Sequence, residues 1–279
     1  YDKNLLMEAS LEYKMIEHTL KIPNEKIPPN QSGDARPQSH GYLKYKDLFN
    51  DRQLLSIGIL YNEILKISDN TTREWLLLAF SDCLASNNML CCYAYGYKKL
   101  TPLFGIHAYT IPARPVENNL IGTDILGRGT FKKTFFKMIK GKQYCSETYE
   151  TKIVDGKKIK VTTGEKIEAN VTNNSNDFYM NKGKALILNQ SSERLNQIRN
   201  NSIDFILTDP PYYDNLAYSE LSVFFSIWAE SSREREITSQ SIFVGTSDDK
   251  SNDSYIVQLT NVFIQCYLKL KDNGIMVFS

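Results

Sequence analysis

Residues 203–211 read Ile-Asp-Phe-Ile-Leu-Thr-Asp-Pro-Pro, an apolar run that ends on two consecutive prolines. The run predicts a buried β-strand over 203–207. Pro210 and Pro211 carry no N–H for a neighbouring strand and hold φ at about −65°, so the chain must leave the strand through a stiff, extended turn. From residue 185 onward, strand and helix patterns alternate. Strands are expected over 185–188, 203–207 and 275–278, and helices over 191–199 and 218–230. A further helix is expected with Ile256, Leu259, Phe263, Cys266 and Leu270 on one face. Alternation of this kind predicts an α/β fold with a parallel, doubly wound sheet.

In such a sheet, ligands sit at the loops leaving the carboxyl ends of strands. The loop after 207 offers the Asp209 carboxylate, backbone carbonyls at Pro210 and Pro211, and the ring of Tyr212. An exocyclic amine on adenine or cytosine has two hydrogens to donate. Asp209 and the Pro210 carbonyl supply two acceptors, and Tyr212 supplies a surface for stacking, worth ~1–3 kcal/mol per base. A base within a duplex would have to be flipped out to reach them. The plainer alternative is an ordinary strand end closed by an Asp-Pro turn.

The wider segment, Thr208-Asp-Pro-Pro-Tyr-Tyr-Asp-Asn215, resembles motif IV of the amino-methyltransferases. With Tyr218-Ser-Glu-Leu-Ser-Val-Phe-Phe225 and Trp228 it is similar to the large adenine-specific DNA methylases that carry an amino-terminal DUF1156 region. The likeness extends to Leu48-Phe-Asn-Asp-Arg-Gln-Leu-Leu55, to 104–119, and to Leu268-Lys-Leu-Lys-Asp-Asn-Gly-Ile-Met-Val-Phe278. It implies part of a Rossmann-like methyltransferase sheet with an inserted α+β region, S-adenosyl-L-methionine as methyl donor, and DNA as partner. N6 of adenine becomes the expected target, and restriction or defence-system subunits the possible associates. It also implies that Asp209, Pro210, Pro211 and Tyr212 form the catalytic loop. Tyr213, Asp214, Asn215 and Tyr218 would build the pocket wall, although Asp214 and Asn215 suit a helix N-cap equally well. Asn189 and Gln190 would lie near the cofactor adenine, where relatives often place an acidic residue that Gln190 does not replace. Similar Asp-Pro-Pro-Tyr loops serve RNA methyltransferases, which keeps an RNA amine open as a target. A non-catalytic nucleic-acid recognition module is a further alternative.

The glycine-rich cofactor loop of this family has no clear counterpart. The nearest stretch, Asp124-Ile-Leu-Gly-Arg-Gly-Thr-Phe131, follows no clean apolar strand and reads as an ordinary turn. A start at Tyr1 and an end at Ser279 within a predicted strand suggest a piece of a longer enzyme. Two parts are expected: 1–169, helical and mixed and possibly touching DNA, and 180–279, holding the catalytic sheet.

Net charge is only +1 over 279 residues, so composition does not announce a nucleic-acid partner. The distribution is more informative, since 132–160 carries nine lysines interleaved with aromatics. That strip suits either phosphate contact or a solvated face. Five cysteines, two of them adjacent at Cys91 and Cys92, make neither a disulfide framework nor a Cys-x-x-Cys metal site, and a reducing cytoplasm is expected. No apolar run is long enough to span a bilayer.

Helical spacing of Leu6, Ala9, Tyr13, Ile16 and Leu20 predicts an amphipathic first helix, followed by a loop or arm over 23–37. Helices are expected over 52–67 and 71–85, the second opening on a Thr71/Glu74 capping box. Arg52 and Gln53 suit DNA, cofactor or a surface salt bridge. Strands are expected over 89–97 and 103–111, with His107, Arg114, Glu117 and Asn118 grouped near the second one's exit, where they could shape a pocket. Val154-Asp155-Gly156-Lys157 signals a two-residue hairpin turn. The Asn-rich stretch 170–176 reads as a linker, and 231–252 as a loop that closes over a flipped base or touches DNA beside it.

Overall fold

In the computed structural model, which describes residues 2–28, 36–105, 109–124, 127–180, 184–212, 218–229 and 252–279, helices dominate the first half and short strands the second. In chain order the elements are α1 (Asp2–Ile16), α2 (Arg36–Ser39), α3 (Asp51–Leu65), α4 (Asn70–Leu84), β1 (Cys92–Ala94), β2 (Lys99–Thr101) and α5 (Phe131–Ser146). They continue with β3 (Tyr149–Val154), β4 (Lys157–Thr162), β5 (Asn170–Thr172), α6 (Ser175–Met180) and β6 (Lys184–Leu186). The last are β7 (Ile203–Thr208), α7 (Tyr218–Ala229), α8 (Asn252–Lys269) and β8 (Leu270–Phe278). The chain divides into two units. One comprises the residues up to Ile139 with α7; the other runs from Lys140 to Tyr212 and includes α8 and β8.

The first unit is built on amphipathic helices. On α1, Tyr13 is buried and Leu6, Ala9 and Ile16 half-buried, the stripe that the sequence spacing requires. Helix α3 opens with a reciprocal cap: Asn50 Oδ1 accepts from Gln53 N at 2.9 Å, and Gln53 Oε1 accepts from Asn50 N at 3.0 Å. Helix α4 starts one residue before the expected position. Asp69, not Thr71, holds the extended cap conformation, and its carboxylate accepts from Thr72 N at 2.7 Å. That bond holds the Asp69 carboxyl below the usual carboxylate range. The core joins Tyr61 of α3, Phe80 of α4 and Trp228 of α7, with Phe49 beside them. Trp228 stands edge-on to Phe49, Tyr61 and Phe80 at 5.7, 6.0 and 5.7 Å between ring centroids. The Tyr61 hydroxyl also donates to the Trp228 carbonyl.

The strand expected over 89–97 shrinks to β1, because the chain turns through Tyr95–Tyr97 and returns antiparallel as β2. Among the described residues of 103–111 no strand forms, and Phe104 takes a left-handed φ of 64°. Residues 131–146, read only as a basic strip, form helix α5.

The second unit pairs its strands two by two. β3 and β4 form the expected hairpin, with Asp155 and Gly156 at φ 51° and 73°, the left-handed pair that a tight two-residue turn demands. Residues 170–176 are not a plain linker. They form β5, which pairs in parallel with β6, and then α6, whose first turn is held by Asn174 Oδ1 accepting from Asn176 N at 2.9 Å. The helix expected over 191–199 does not form. Its backbone donors are diverted to side chains elsewhere, Leu195 N to Gln265 Oε1 at 3.3 Å and Arg199 N to the Tyr179 hydroxyl at 2.9 Å. β7 and β8 pair in parallel, with an irregularity between Ile203 and Phe205. β8 begins at Leu270, directly after α8 and ahead of the predicted start. The described residues thus establish a mixed α/β protein whose sheets are two-stranded. No helix among them is long and apolar enough to cross a membrane.

Candidate active site

β7 and β8 run in the same direction, so their carboxyl ends share one edge. Thr208 lies opposite Phe278, and the next residues, Asp209 and Ser279, meet there: Ser279 Oγ donates to Asp209 Oδ1 at 2.6 Å. Asp209 is exposed, and a carboxylate with one oxygen engaged by a hydroxyl keeps acceptor capacity on the other. Pro210 and Pro211 are half-buried. The Tyr255 hydroxyl, near the start of α8, donates to the Pro211 carbonyl at 2.7 Å and ties the loop to its own helix. Tyr212 follows with its ring 43% exposed, available as a flat apolar surface. Sequence and structure therefore agree on a carboxylate, a proline-stiffened backbone and an open ring at one sheet edge.

The remaining expected site residues fall elsewhere. Tyr213, Asp214 and Asn215 lie outside the described residues, as do His107 and nearly all of the 231–252 segment. Tyr218 opens α7 in the first unit. Asn189 and Gln190 are exposed in the turn that follows β6. Gln190 is engaged locally: its Nε2 donates to Arg194 O at 2.7 Å and to Gln197 Oε1 at 3.0 Å, and Gln197 Nε2 returns a bond to Gln190 Oε1 at 2.7 Å. A neutral amide occupied in this way does not fit the acidic contact expected for a cofactor adenine.

The glycines of 122–129 have a packing explanation. A Cβ on Gly122 or Gly127 would strike the buried Thr130, and one on Gly129 would strike Ser86. All three have positive φ, so the turn requires glycine for its own closure. The basic strip divides into α5 and the exposed hairpin β3–β4. On one face of the hairpin Lys158 and Lys160 stand with Ile153, and Lys160 lies 3.9 Å from the centre of the Tyr149 ring.

A cleft of about 410 Å³ on the first unit was only partly foreseen. Glu117 and Asn118 line it, but so do Arg52, Gln53 and Asn87. Arg52 forms the ion pairs of the bland reading, 2.9 Å to Asp2 and 2.9 Å to Glu117, and the bond from Glu117 leads in raising its pKa. Asn50 Nδ2 also donates to Glu117. Buried beneath this region, Cys83 and Cys91 have thiol pKa values pushed up by desolvation. Searches against protein-family models, curated proteins and solved structures find no match to this chain.

Proposed function

We propose that the 209–212 loop orients the exocyclic amine of a flipped DNA base, adenine N6 by preference, for methyl transfer from S-adenosyl-L-methionine. The observation that carries this reading is the exposed Asp209 carboxylate at the carboxyl end of a parallel strand, steadied by Ser279 and followed by two prolines. One amine hydrogen meets Asp209 and the other the Pro210 carbonyl. The nitrogen lone pair is then turned away from its ring and toward an incoming electrophile. Tyr212 lies against the base face. Because the prolines and the Tyr255–Pro211 bond fix the loop in advance, little ordering remains to be done when the base arrives. Asn189 and Gln190 do not fit the cofactor, so the proposal assigns it no contact there. The doubly wound Rossmann-like sheet implied by the sequence belongs to the same proposal. The parallel pairs β5–β6 and β7–β8 support it.

A second reading, a nucleic-acid recognition module without catalysis, draws support from the exposed lysines 152, 157, 158 and 160 of the β3–β4 hairpin. Incubating the chain with S-adenosyl-L-methionine and either duplex DNA or structured RNA separates these possibilities. Nucleoside digests analysed by mass spectrometry should contain N6-methyladenine from the DNA. Methylated RNA moves the substrate class. Binding to DNA without any methylated product favours the recognition module.

A further inference from the structure

The cleft on the first unit holds two buried polar atoms without a partner, and both line it. Gln53 Nε2 and Asn87 Oδ1 make no hydrogen bond, although both residues are more than nine-tenths buried. Their orientations are fixed by what the other end of each amide does. Gln53 Oε1 accepts from Asn50 N at 3.0 Å, so Nε2 must be the donor. Asn87 Nδ2 donates to the Cys83 carbonyl at 2.6 Å and to the Gly129 carbonyl at 2.9 Å, so Oδ1 must be the acceptor. Neither amide can flip without breaking bonds already made.

Neighbouring polar groups are already engaged. Asn118 Nδ2 donates to Arg128 O at 2.7 Å, Asn119 Oδ1 accepts from Gly122 N at 2.8 Å, and Ser56 Oγ donates to Arg52 O at 2.9 Å. A buried group left unpaired costs ~1–3 kcal/mol, so two such groups in one cleft are complementary to something that pairs with both. The partner must present an acceptor to Gln53 and a donor to Asn87. A nucleobase edge has that pattern, with adenine's ring nitrogen and exocyclic amine as one instance; Asn and Gln amides read adenine by these same groups. The cleft's volume lies within the range of small-ligand sites. Its only cation, Arg52, is neutralised by Asp2 and Glu117, so the site suits an uncharged base or nucleoside over a phosphate.

We infer that this cleft binds a nucleobase, free or within a strand, through an acceptor–donor edge held by Gln53 and Asn87. The inference stands apart from the Asp209 loop, which also takes an adenine in the proposal above, and the test separates them. Adenosine is titrated into the full chain by calorimetry, alongside AMP, N6,N6-dimethyladenosine and a deoxyadenosine trinucleotide. Adenosine should bind, AMP no more tightly, and the dimethylated base at least ~10-fold more weakly because it has no donor for Asn87. Tighter binding of the trinucleotide identifies a strand as the source of the base; equal or weaker binding identifies a free nucleoside.

Gln53→Glu keeps the acceptor that caps α3 and replaces the donor, so it should weaken adenosine at least ~10-fold with the fold retained. Ser56→Trp, at an exposed position on the cleft, should block binding even if Gln53→Glu misfolds. Asp209→Asn should leave binding intact. Loss of binding in Asp209→Asn with none in Gln53→Glu or Ser56→Trp assigns the base to the other loop and overturns the inference. So does an absence of adenosine binding to the unaltered chain.

Discussion

The first unit buries Trp228, Tyr61, Phe80, Phe224, Leu48 and Ile57 almost completely, whereas among the described residues of the second only Thr148, Cys266 and Lys269 are buried. The same contrast holds for the strands. β7 and β8 pair in parallel, an arrangement normally covered on both faces, yet Phe205, Leu207, Ile275 and Val277 share a face that is open. On the opposite face, Phe263 of α8 packs against Phe278 at 5.4 Å. The candidate catalytic loop therefore leaves a strand with little packing behind it, while the aromatic core lies in the other unit. Binding loops are commonly drawn from the less stable parts of a protein. Here the local stiffness comes from two prolines and two hydroxyl bonds, Ser279 to Asp209 and Tyr255 to Pro211.

Substitutions sharpen or break this contrast. Trp228→Ala removes the ring at the centre of the first core and should cost ~3–5 kcal/mol in chemical denaturation; a loss below about 1 kcal/mol would mean that the core does not depend on it. Gly129→Ala places a methyl against Ser86 at a φ of +64°, and should destabilise by more than ~1 kcal/mol.

Tyr13, buried on α1, has its phenol pKa raised from 10.0 to about 12, chiefly by desolvation and further by Glu17 and Asp51. The fold favours the neutral phenol. That contribution is complete below pH about 10 and is lost as pH rises toward about 12. A Tyr13→Phe variant should accordingly lose less stability over that window than the unaltered chain, and equal losses would remove Tyr13 from the account. The smallest effect belongs to the second unit. Leu207 is 73% exposed, and Leu207→Ser should change stability by no more than ~0.5 kcal/mol. A cost above 2 kcal/mol would show that this face is covered in solution.

Local signals in the sequence carried far. The period of α1, the Asp155-Gly156 turn and the proline-terminated β7 are each written into a few adjacent residues, and each stands where expected. Readings failed where a distant group competes for the backbone. Nothing within 191–199 reveals that Gln265 and Tyr179 take two of its N–H groups. Thr71 and Glu74 match a capping pattern, but Asp69 reaches the helix start first. The Asp209 edge was legible because its residues are contiguous, except for Ser279 and Tyr255, which arrive from α8 and β8. The cleft was not, because Gln53 and Asn87 are 34 positions apart and their unpaired atoms are invisible without coordinates.

The most direct test of the central claim is the rate of methyl incorporation into duplex DNA by the unaltered chain and by Asp209→Asn. Circular dichroism verifies that both fold alike. Replacing the carboxylate with an amide keeps the shape and removes the charge that draws on the amine, so the rate should fall ~10²–10³-fold. Equal rates, or no incorporation by the unaltered chain, would contradict the assignment of Asp209 as the group that holds the reacting nitrogen.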